Sequence, residues 1–247
     1  MKLTFVGSGG TSISPKRACP SLLVNDSLIF DLGPGSVTNI RKTDIKLDQL
    51  SKVFISHCHA DHISDLMPFL WATQIDGRTT PLEIYGPVGF KDIFQKLREC
   101  TNTSEKFFTF SLCVKELDFG ERLDNVSTCR TDHAIPTLAF RVDEDGKSLC
   151  YSADTTYCPR VVELANQTDL LVHEATFLEE QESIAELTRH STGRMAGRCG
   201  RESRARRLVL FHIPPPNEHR EDEIRQAAEQ EYGSEVQVAS DLVSIAM

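Results

Sequence analysis

Ser56-His57-Cys58-His59-Ala60-Asp61-His62 is the stretch on which the reading of this chain turns. The apolar run Val53-Phe54-Ile55 before it has the character of a short buried strand. The residues after it, Ile63-Ser64-Asp65-Leu66-Met67-Pro68-Phe69-Leu70, begin an apolar helical pattern. Three imidazoles and a carboxylate thus crowd the end of a strand and the mouth of a helix. These are the side chains that hold zinc and related divalent ions. His57 and His59, two apart in a loop, can converge on one ion, while Asp61 and His62 can turn toward a second. Cys58 lies between them, and on a locally extended backbone its side chain points the other way, so it is not counted as a ligand. A chance polar loop with an aspartate capping the helix is the alternative; it leaves the three histidines unexplained.

Length and charge bound the rest. A chain of 247 residues can bury a sizeable core and suggests one large domain or two modest ones. The net charge of −9 argues against a broad nucleic-acid surface, which needs a basic footprint. No apolar run approaches a membrane span, and Met1–Val6 looks like a strand rather than a signal peptide. Cys19, Cys58, Cys100, Cys113, Cys129, Cys150, Cys158 and Cys199 are scattered with no Cys-x-x-Cys pair, as expected of reduced thiols in a cytoplasmic protein.

Outward from the motif, Lys2–Val6 is a first strand, followed by the flexible loop Gly7-Ser8-Gly9-Gly10-Thr11-Ser12. Ser21–Val24 and Ser27–Asp31 form a hairpin across Asn25-Asp26, and a helix starts near Ser36. Leu82–Tyr85 is a strand, and Phe90–Glu99 a helix with Phe90, Ile93, Phe94 and Leu97 on one face. From Phe107 to Val142 strands dominate. Lys147–Ser152, Leu170–Val172, Leu208–Phe211, Val236–Ala239 and Leu242–Ile245 are further strands, with helices at Arg160–Ala165 and Glu221–Glu231. No linker, low-complexity tract or short-period repeat divides the chain. The mixture suggests two sheets with helices outside.

Four later polar residues each end or follow a strand-like run: His133, Asp154, His173 and His212. Sites in sheet-based α/β enzymes collect past the carboxyl ends of strands. Taken singly, His133 could be a satisfied loop histidine, Asp154 a helix cap and His212 a turn residue. Together they point to one composite site.

The order His-x-His-x-Asp-His, then His, Asp and His, resembles the metallo-β-lactamase superfamily from Phe5 to His212. Tyr151-Ser152-Ala153-Asp154-Thr155, His173-Glu174-Ala175-Thr176-Phe177 and His190-Ser191-Thr192 are similar to segments of its ribonuclease Z branch and that branch's small phosphodiesterase relatives. The resemblance implies a single-domain α/β protein over residues 1–247, an αββα four-layer sandwich of two mixed sheets with helices outside. It implies that His57, His59 and His133 hold one zinc, that Asp61, His62 and His212 hold a second, and that Asp154 bridges them. Mn2+ or Fe2+ would also suit this ligand set. A hydroxide between the metals would be the nucleophile. Asp61 would orient it or take its proton, and His190, paired with Glu174, would stabilise the transition state or protonate the leaving oxygen. His173 is more structural than catalytic in this reading. Homodimers are frequent in the family.

Two features bear on the substrate. Ribonuclease Z enzymes that process tRNA precursors carry a long arm between the positions of His133 and Asp154, and here residues 134–153 leave room only for a hairpin. After His212 the family often has Ser and a basic residue, where this chain has Ile213-Pro214-Pro215-Pro216. Against this, Arg194, Arg198 and Arg201 share a helical face within an arginine-rich run from Arg189 to Arg207. That face could touch phosphates, or be a solvated surface paired with the acidic Glu221–Glu231 helix. The expected function is a zinc phosphodiesterase acting on RNA 3′ ends or on small or cyclic phosphodiesters. Hydrolysis of carboxylic or sulfuric esters, thioesters or lactones on the same metals is the alternative. A non-catalytic binding protein or an iron-loaded redox member are more remote readings, since every expected ligand is present and no electron-carrier domain is attached.

Overall fold

A computed structural model describes all residues, 1–247. The chain divides into two compact units. One holds Lys2–Leu117 with Asp241–Ala246; the other holds Asp118–Ser240 with the two terminal residues. No helix is long and apolar enough to cross a membrane.

The first unit runs β1 (Lys2–Gly7), β2 (Ser21–Val24), β3 (Leu28–Phe30), α1 (Ser36–Ile40), β4 (Lys52–Phe54), α2 (Ala60–Ile63), α3 (Leu66–Ile75), β5 (Leu82–Pro87), α4 (Phe90–Cys100) and β6 (Leu112–Leu117). The second runs β7 (Arg122–Leu123), β8 (Val126–Arg130), β9 (Leu138–Glu144), β10 (Lys147–Tyr151), α5 (Pro159–Leu164), β11 (Leu170–Glu174), α6 (Glu182–Thr188), α7 (Gly193–Ser203), β12 (Leu208–Phe211), α8 (Glu221–Tyr232) and β13 (Val236–Val238). The last strand, β14 (Ser244–Ala246), returns to the first unit and pairs antiparallel with β1.

Each unit is built on one seven-stranded mixed sheet, ordered β14-β1-β2-β3-β4-β5-β6 in the first and β13-β12-β11-β10-β9-β8-β7 in the second. Both sheets have the same plan. An antiparallel stretch, β14 to β3 or β7 to β10, is followed by parallel pairings β3–β4–β5–β6 or β10–β11–β12–β13. The strand-rich middle of the sequence is therefore the end of one sheet and the start of the other.

Turn chemistry sets the register. Asn25 and Asp26 take φ of 50° and 54°, and Asp145 and Gly146 take 53° and 70°. Asp145-Gly146 is a two-residue turn with positive φ at both positions, whose twist matches the flanking strands, while Asn25-Asp26-Ser27 is a three-residue connection. They align Val24 with Leu28 and Glu144 with Lys147. The segment between His133 and Asp154 is thus filled by the β9–β10 hairpin, as its length required.

The core of the first unit gathers Val6, Ile29, Val53, Ile55, Phe69, Leu70, Ile84, Phe90 and Phe94. On α4 the expected apolar face is narrower than its spacing suggested: Phe90 and Phe94 are buried and Leu97 packs against them, whereas Ile93 is exposed. Arg78 is buried in the same unit. It donates to the carbonyls of Thr80, Leu47, Leu50 and Pro81 at 2.7–3.0 Å, so its charge is solvated by backbone dipoles.

The core of the second unit gathers Cys150, Val161, Leu171, Ala196, Cys199, Leu208, Leu210, Ile224 and Ala228. Helices α7 and α8 approach closely there, and a Cβ at Gly193 would lie 2.2 Å from the Ile224 carbonyl oxygen. The arginines of α7 are paired: Arg194 with Glu179 at 3.4 Å, Arg198 with Glu202 at 2.9 Å and Arg201 with Glu231 at 2.6 Å. This is a solvated, salt-bridged face, and one of its partners comes from the acidic helix α8.

Candidate metal centre

In the first unit the ligand motif follows β4. Ser56 and His57 are fully buried, and α2 begins at Ala60 with His59 in the N-cap position. Asp61 lies inside the first turn of α2 and does not cap it. Cys58 packs against the apolar core, away from the ligand set. His57 Nε2 and His59 Nδ1 are 3.1 Å apart. Two nitrogens on one tetrahedral zinc, each about 2.0–2.1 Å from the metal, lie roughly 3.3 Å apart. His62 Nε2 lies 3.5 Å from Asp61 Oδ2. The same Asp61 oxygen accepts the backbone N–H of Thr11 at 2.9 Å, so the glycine-rich loop after β1 serves to fix this carboxylate. Gly33 makes room for the start of α2, because a Cβ there would lie 2.0 Å from the Asp61 carbonyl oxygen.

Behind the motif lies Asp31, fully buried and in left-handed conformation (φ 61°) just past β3. It accepts the Ser56 N–H at 2.7 Å, the Ser56 hydroxyl at 2.8 Å and His62 Nδ1–H at 2.9 Å. The Ser56 oxygen in turn lies 3.0 Å from His57 Nδ1. A hydroxyl that donates to a carboxylate accepts from the imidazole, so both rings carry their proton on Nδ1 and present a lone pair at Nε2.

In the second unit Asp154 follows β10, Glu174 ends β11 and His212 follows β12. Cys158, not Asp154, occupies the N-cap of α5. Asp154 is buried, with Oδ1 3.4 Å from His212 Nε2 and Oδ2 4.0 Å from His133 Nε2. One oxygen faces each histidine. His133 Nδ1 donates to the Arg189 carbonyl at 3.0 Å, and burial pushes this imidazole below its usual value, keeping it neutral. His212 Nδ1 lies 2.9 Å from Thr176 Oγ1. His57, His62, His133 and His212 therefore all have Nδ1 engaged outside the donor set and Nε2 turned toward another member of it, the arrangement typical of metal-ligating histidines. The donor set fits divalent metal ions on its own chemistry.

His190 precedes α7, and its Nδ1 lies 2.8 Å from Glu174 Oε1. Glu174 is fully buried. Oε1 also accepts Thr155 N–H at 2.9 Å; Oε2 accepts Ser191 N–H at 3.0 Å, Thr176 N–H at 3.3 Å and the Thr176 hydroxyl at 2.7 Å. Burial works to raise its pKa, but the neighbouring His190 charge and hydrogen bond win and hold it below the usual carboxylate range. The Glu174, His190 and His212 donor atoms cluster closely enough to suggest a further ion. Glu174, however, already has both oxygens occupied by N–H and O–H donors, so it acts as a hydrogen-bond acceptor. His173 is fully buried with Nδ1 donating to the Glu174 carbonyl at 2.8 Å and Nε2 without a partner, in keeping with a structural role.

Each unit thus brings together the site residues expected within it. The sequence reading missed the residues behind them: Asp31, Ser56, Thr176 and Thr11. Asp31 carried the same signal as Asp154, a carboxylate within three residues of a strand's end.

The two mixed sheets and the His/Asp donor sets define a metallohydrolase of the metallo-β-lactamase fold. The chain belongs to the β-lactamase superfamily, whose domain description, "Beta-lactamase superfamily domain", matches residues 28–213, and it falls in the ribonuclease Z-like branch. It is 29% identical to the ribonuclease Z of Myxococcus xanthus (strain DK1622) over 300 aligned positions, covering 98% of this chain and 96% of that protein. The alignment is longer than this chain, so the relative carries segments with no counterpart here. Among solved structures, the metallo-β-lactamase fold protein YhfI from Bacillus subtilis matches with a TM-score of 0.84 and 26% identity, over 99% of this chain and 98% of YhfI. The short form of human tRNase Z (ELAC1) matches with a TM-score of 0.83 and 28% identity, over 100% of this chain and 99% of that one.

Proposed function

We propose that this protein is a metal-dependent phosphodiesterase acting on RNA, at 3′ ends, or on small or cyclic phosphodiesters. The observation that carries the reading is the Glu174–His190 pair beside the Asp154–His212 donor set, in a chain whose relatives are ribonuclease Z proteins. His57, His59 and His133 would hold one zinc ion, Asp61, His62 and His212 a second, and Asp154 would bridge them. Such ions, when bound, supply an activated oxygen nucleophile and stabilise charge on entering and leaving oxygens. Asp61, fixed by Thr11 N–H, would orient that nucleophile or take its proton. His190, its Nδ1 proton held by Glu174, would use Nε2 to stabilise the phosphoryl charge or protonate the leaving oxygen. The β9–β10 hairpin offers no arm to grip a tRNA body, which supports short RNA ends or small phosphodiesters over a tRNA precursor. Residues 1–247 would work as one catalytic domain in the cytoplasm, in keeping with eight free thiols, and by family likeness as a homodimer.

The test is turnover of bis(p-nitrophenyl) phosphate by zinc-loaded protein. Asp154→Ala should lose metal and activity together; His190→Ala should keep the metal and lose most turnover. Full turnover in His190→Ala would sink the branch-specific mechanism. No phosphodiesterase activity in wild-type protein holding two metals would move the assignment to esters, thioesters or lactones.

A further inference from the structure

The hydroxyl of Thr176 belongs neither to the ligand set nor to the proton-transfer pair, yet it touches both. It lies 2.7 Å from Glu174 Oε2, 2.9 Å from His212 Nδ1, 3.4 Å from the His212 carbonyl oxygen and 3.4 Å from His190 Nδ1. A threonine hydroxyl has one proton to give. The ionised carboxylate at 2.7 Å is the nearer and stronger acceptor, so the proton goes to Glu174. The Thr176 oxygen is then an acceptor, and His212 Nδ1 must be its donor. His190 Nδ1 is already engaged at 2.8 Å with the other Glu174 oxygen. This count leaves one tautomer for His212, with Nδ1 protonated and the Nε2 lone pair facing Asp154 Oδ1 at 3.4 Å.

The backbone gives a second reason for the contact. His212 sits at φ 65°, a left-handed conformation that costs a non-glycine residue of order 1 kcal/mol. Thr176 is itself anchored, because Asn217 Nδ2 donates to its carbonyl at 2.9 Å. A fixed hydroxyl therefore meets a ring whose backbone needs holding.

We propose that Thr176 is a positioning residue that fixes the tautomer and orientation of His212, so that Glu174 supports metal binding through Oε2 while supporting His190 through Oε1. This rests on the metal-site reading given above. The same carboxylate–hydroxyl–imidazole order occurs in the first unit as Asp31–Ser56–His57, where the hydroxyl again donates to the acid and accepts from the ring.

Thr176→Val keeps the shape of the side chain and removes the acceptor. The experiment is zinc stoichiometry of the intact protein during titration with a competing chromophoric chelator, with thermal melting as a fold control. Wild type should hold two equivalents. Thr176→Val should surrender one of them at a roughly 10- to 100-fold lower chelator concentration, the range found when a metal-ligating histidine loses its outer partner. Thr176→Ser should restore retention. Should the valine not fold, Thr176→Ala removes the same oxygen without adding bulk and is held to the same expectation. Retention of both equivalents as in wild type, or failure of serine to rescue, would overturn the proposal. Simultaneous release of both equivalents would also overturn it, since it would indicate general loosening. Wild-type protein that holds no metal would instead overturn the metal-site reading, and the inference with it.

Discussion

Replacing Glu174 by glutamine changes one atom and tests the middle of the site. The carboxylate accepts five hydrogen bonds, two at Oε1 and three at Oε2. An amide has only one oxygen, so whichever way it turns, its NH2 faces at least two donors. Turned toward Oε1, it confronts Thr155 N–H and His190 Nδ1–H. His190 can escape by moving its proton to Nε2, but Thr155 N–H is left buried and unpaired. Losing two bonds to a charged acceptor, at about 1.5–3 kcal/mol each, gives a destabilisation of about 3–6 kcal/mol. For a chain of this size that is a fall in Tm on the order of 10 °C. Turnover suffers separately, because His190 no longer has a carboxylate to stabilise its protonated form, and the loss of acid–base function costs about 10²- to 10⁴-fold. The assay is kcat on bis(p-nitrophenyl) phosphate with zinc saturating, at a temperature where both proteins are folded by circular dichroism. Turnover within about threefold of wild type in the folded variant would refute the role given to the Glu174–His190 pair.

Other outcomes follow from the same structure. Arg78→Met should cost about 3–5 kcal/mol in urea unfolding, because four backbone carbonyls in the first unit lose their guanidinium donor; a loss under about 1 kcal/mol would contradict that contribution. Burial holds the His173 imidazole below its ordinary value of about 6.5, so on acidification the unfolded chain takes up this proton first. Stability should therefore fall as pH drops below about 6.5, by up to about 1.4 kcal/mol per pH unit more in wild type than in His173→Asn; equal slopes in the two proteins would count against it. Cys100 is the one exposed thiol, while burial pushes Cys19, Cys58 and Cys129 up to about 12. A thiol reagent near pH 8 should label Cys100 in a single fast phase that Cys100→Ser abolishes.

Much of the fold could be read from local signals. The Asn25-Asp26 turn, the expected strand runs and the helix starts near Ser36, Phe90, Arg160 and Glu221 lie within a residue or two of their observed positions, because turn chemistry and apolar patterning are local properties. The candidate ligands stood out for a related reason: His133, Asp154 and His212 each follow the end of a strand within three residues. Ile93 was misplaced because helical spacing says which residues share a face, but not how wide a face its neighbours will cover. Asp31, Ser56 and Thr176 went unseen in their roles because their meaning lies in contacts with residues as far as 36 positions away, which no local pattern reports. The shared plan of the two sheets escaped for a different reason. It is a repeat of pairing directions, not of residues, and strand direction is invisible until partners are known.

The return of β14 to β1 sets a schedule for the chain as it leaves the ribosome. Residues 2–117 emerge first, yet their sheet lacks an edge until Ser244–Ala246 is made. Asp241 arrives equally late. Its carboxylate ties together Ser8, Ala18 and Asn39, bracing the loop from which Thr11 reaches Asp61. The candidate ligand Asp61 therefore waits for residues 241–246 before its support is in place. A nascent chain stalled short of them carries the histidines of the motif without the brace that aims the aspartate.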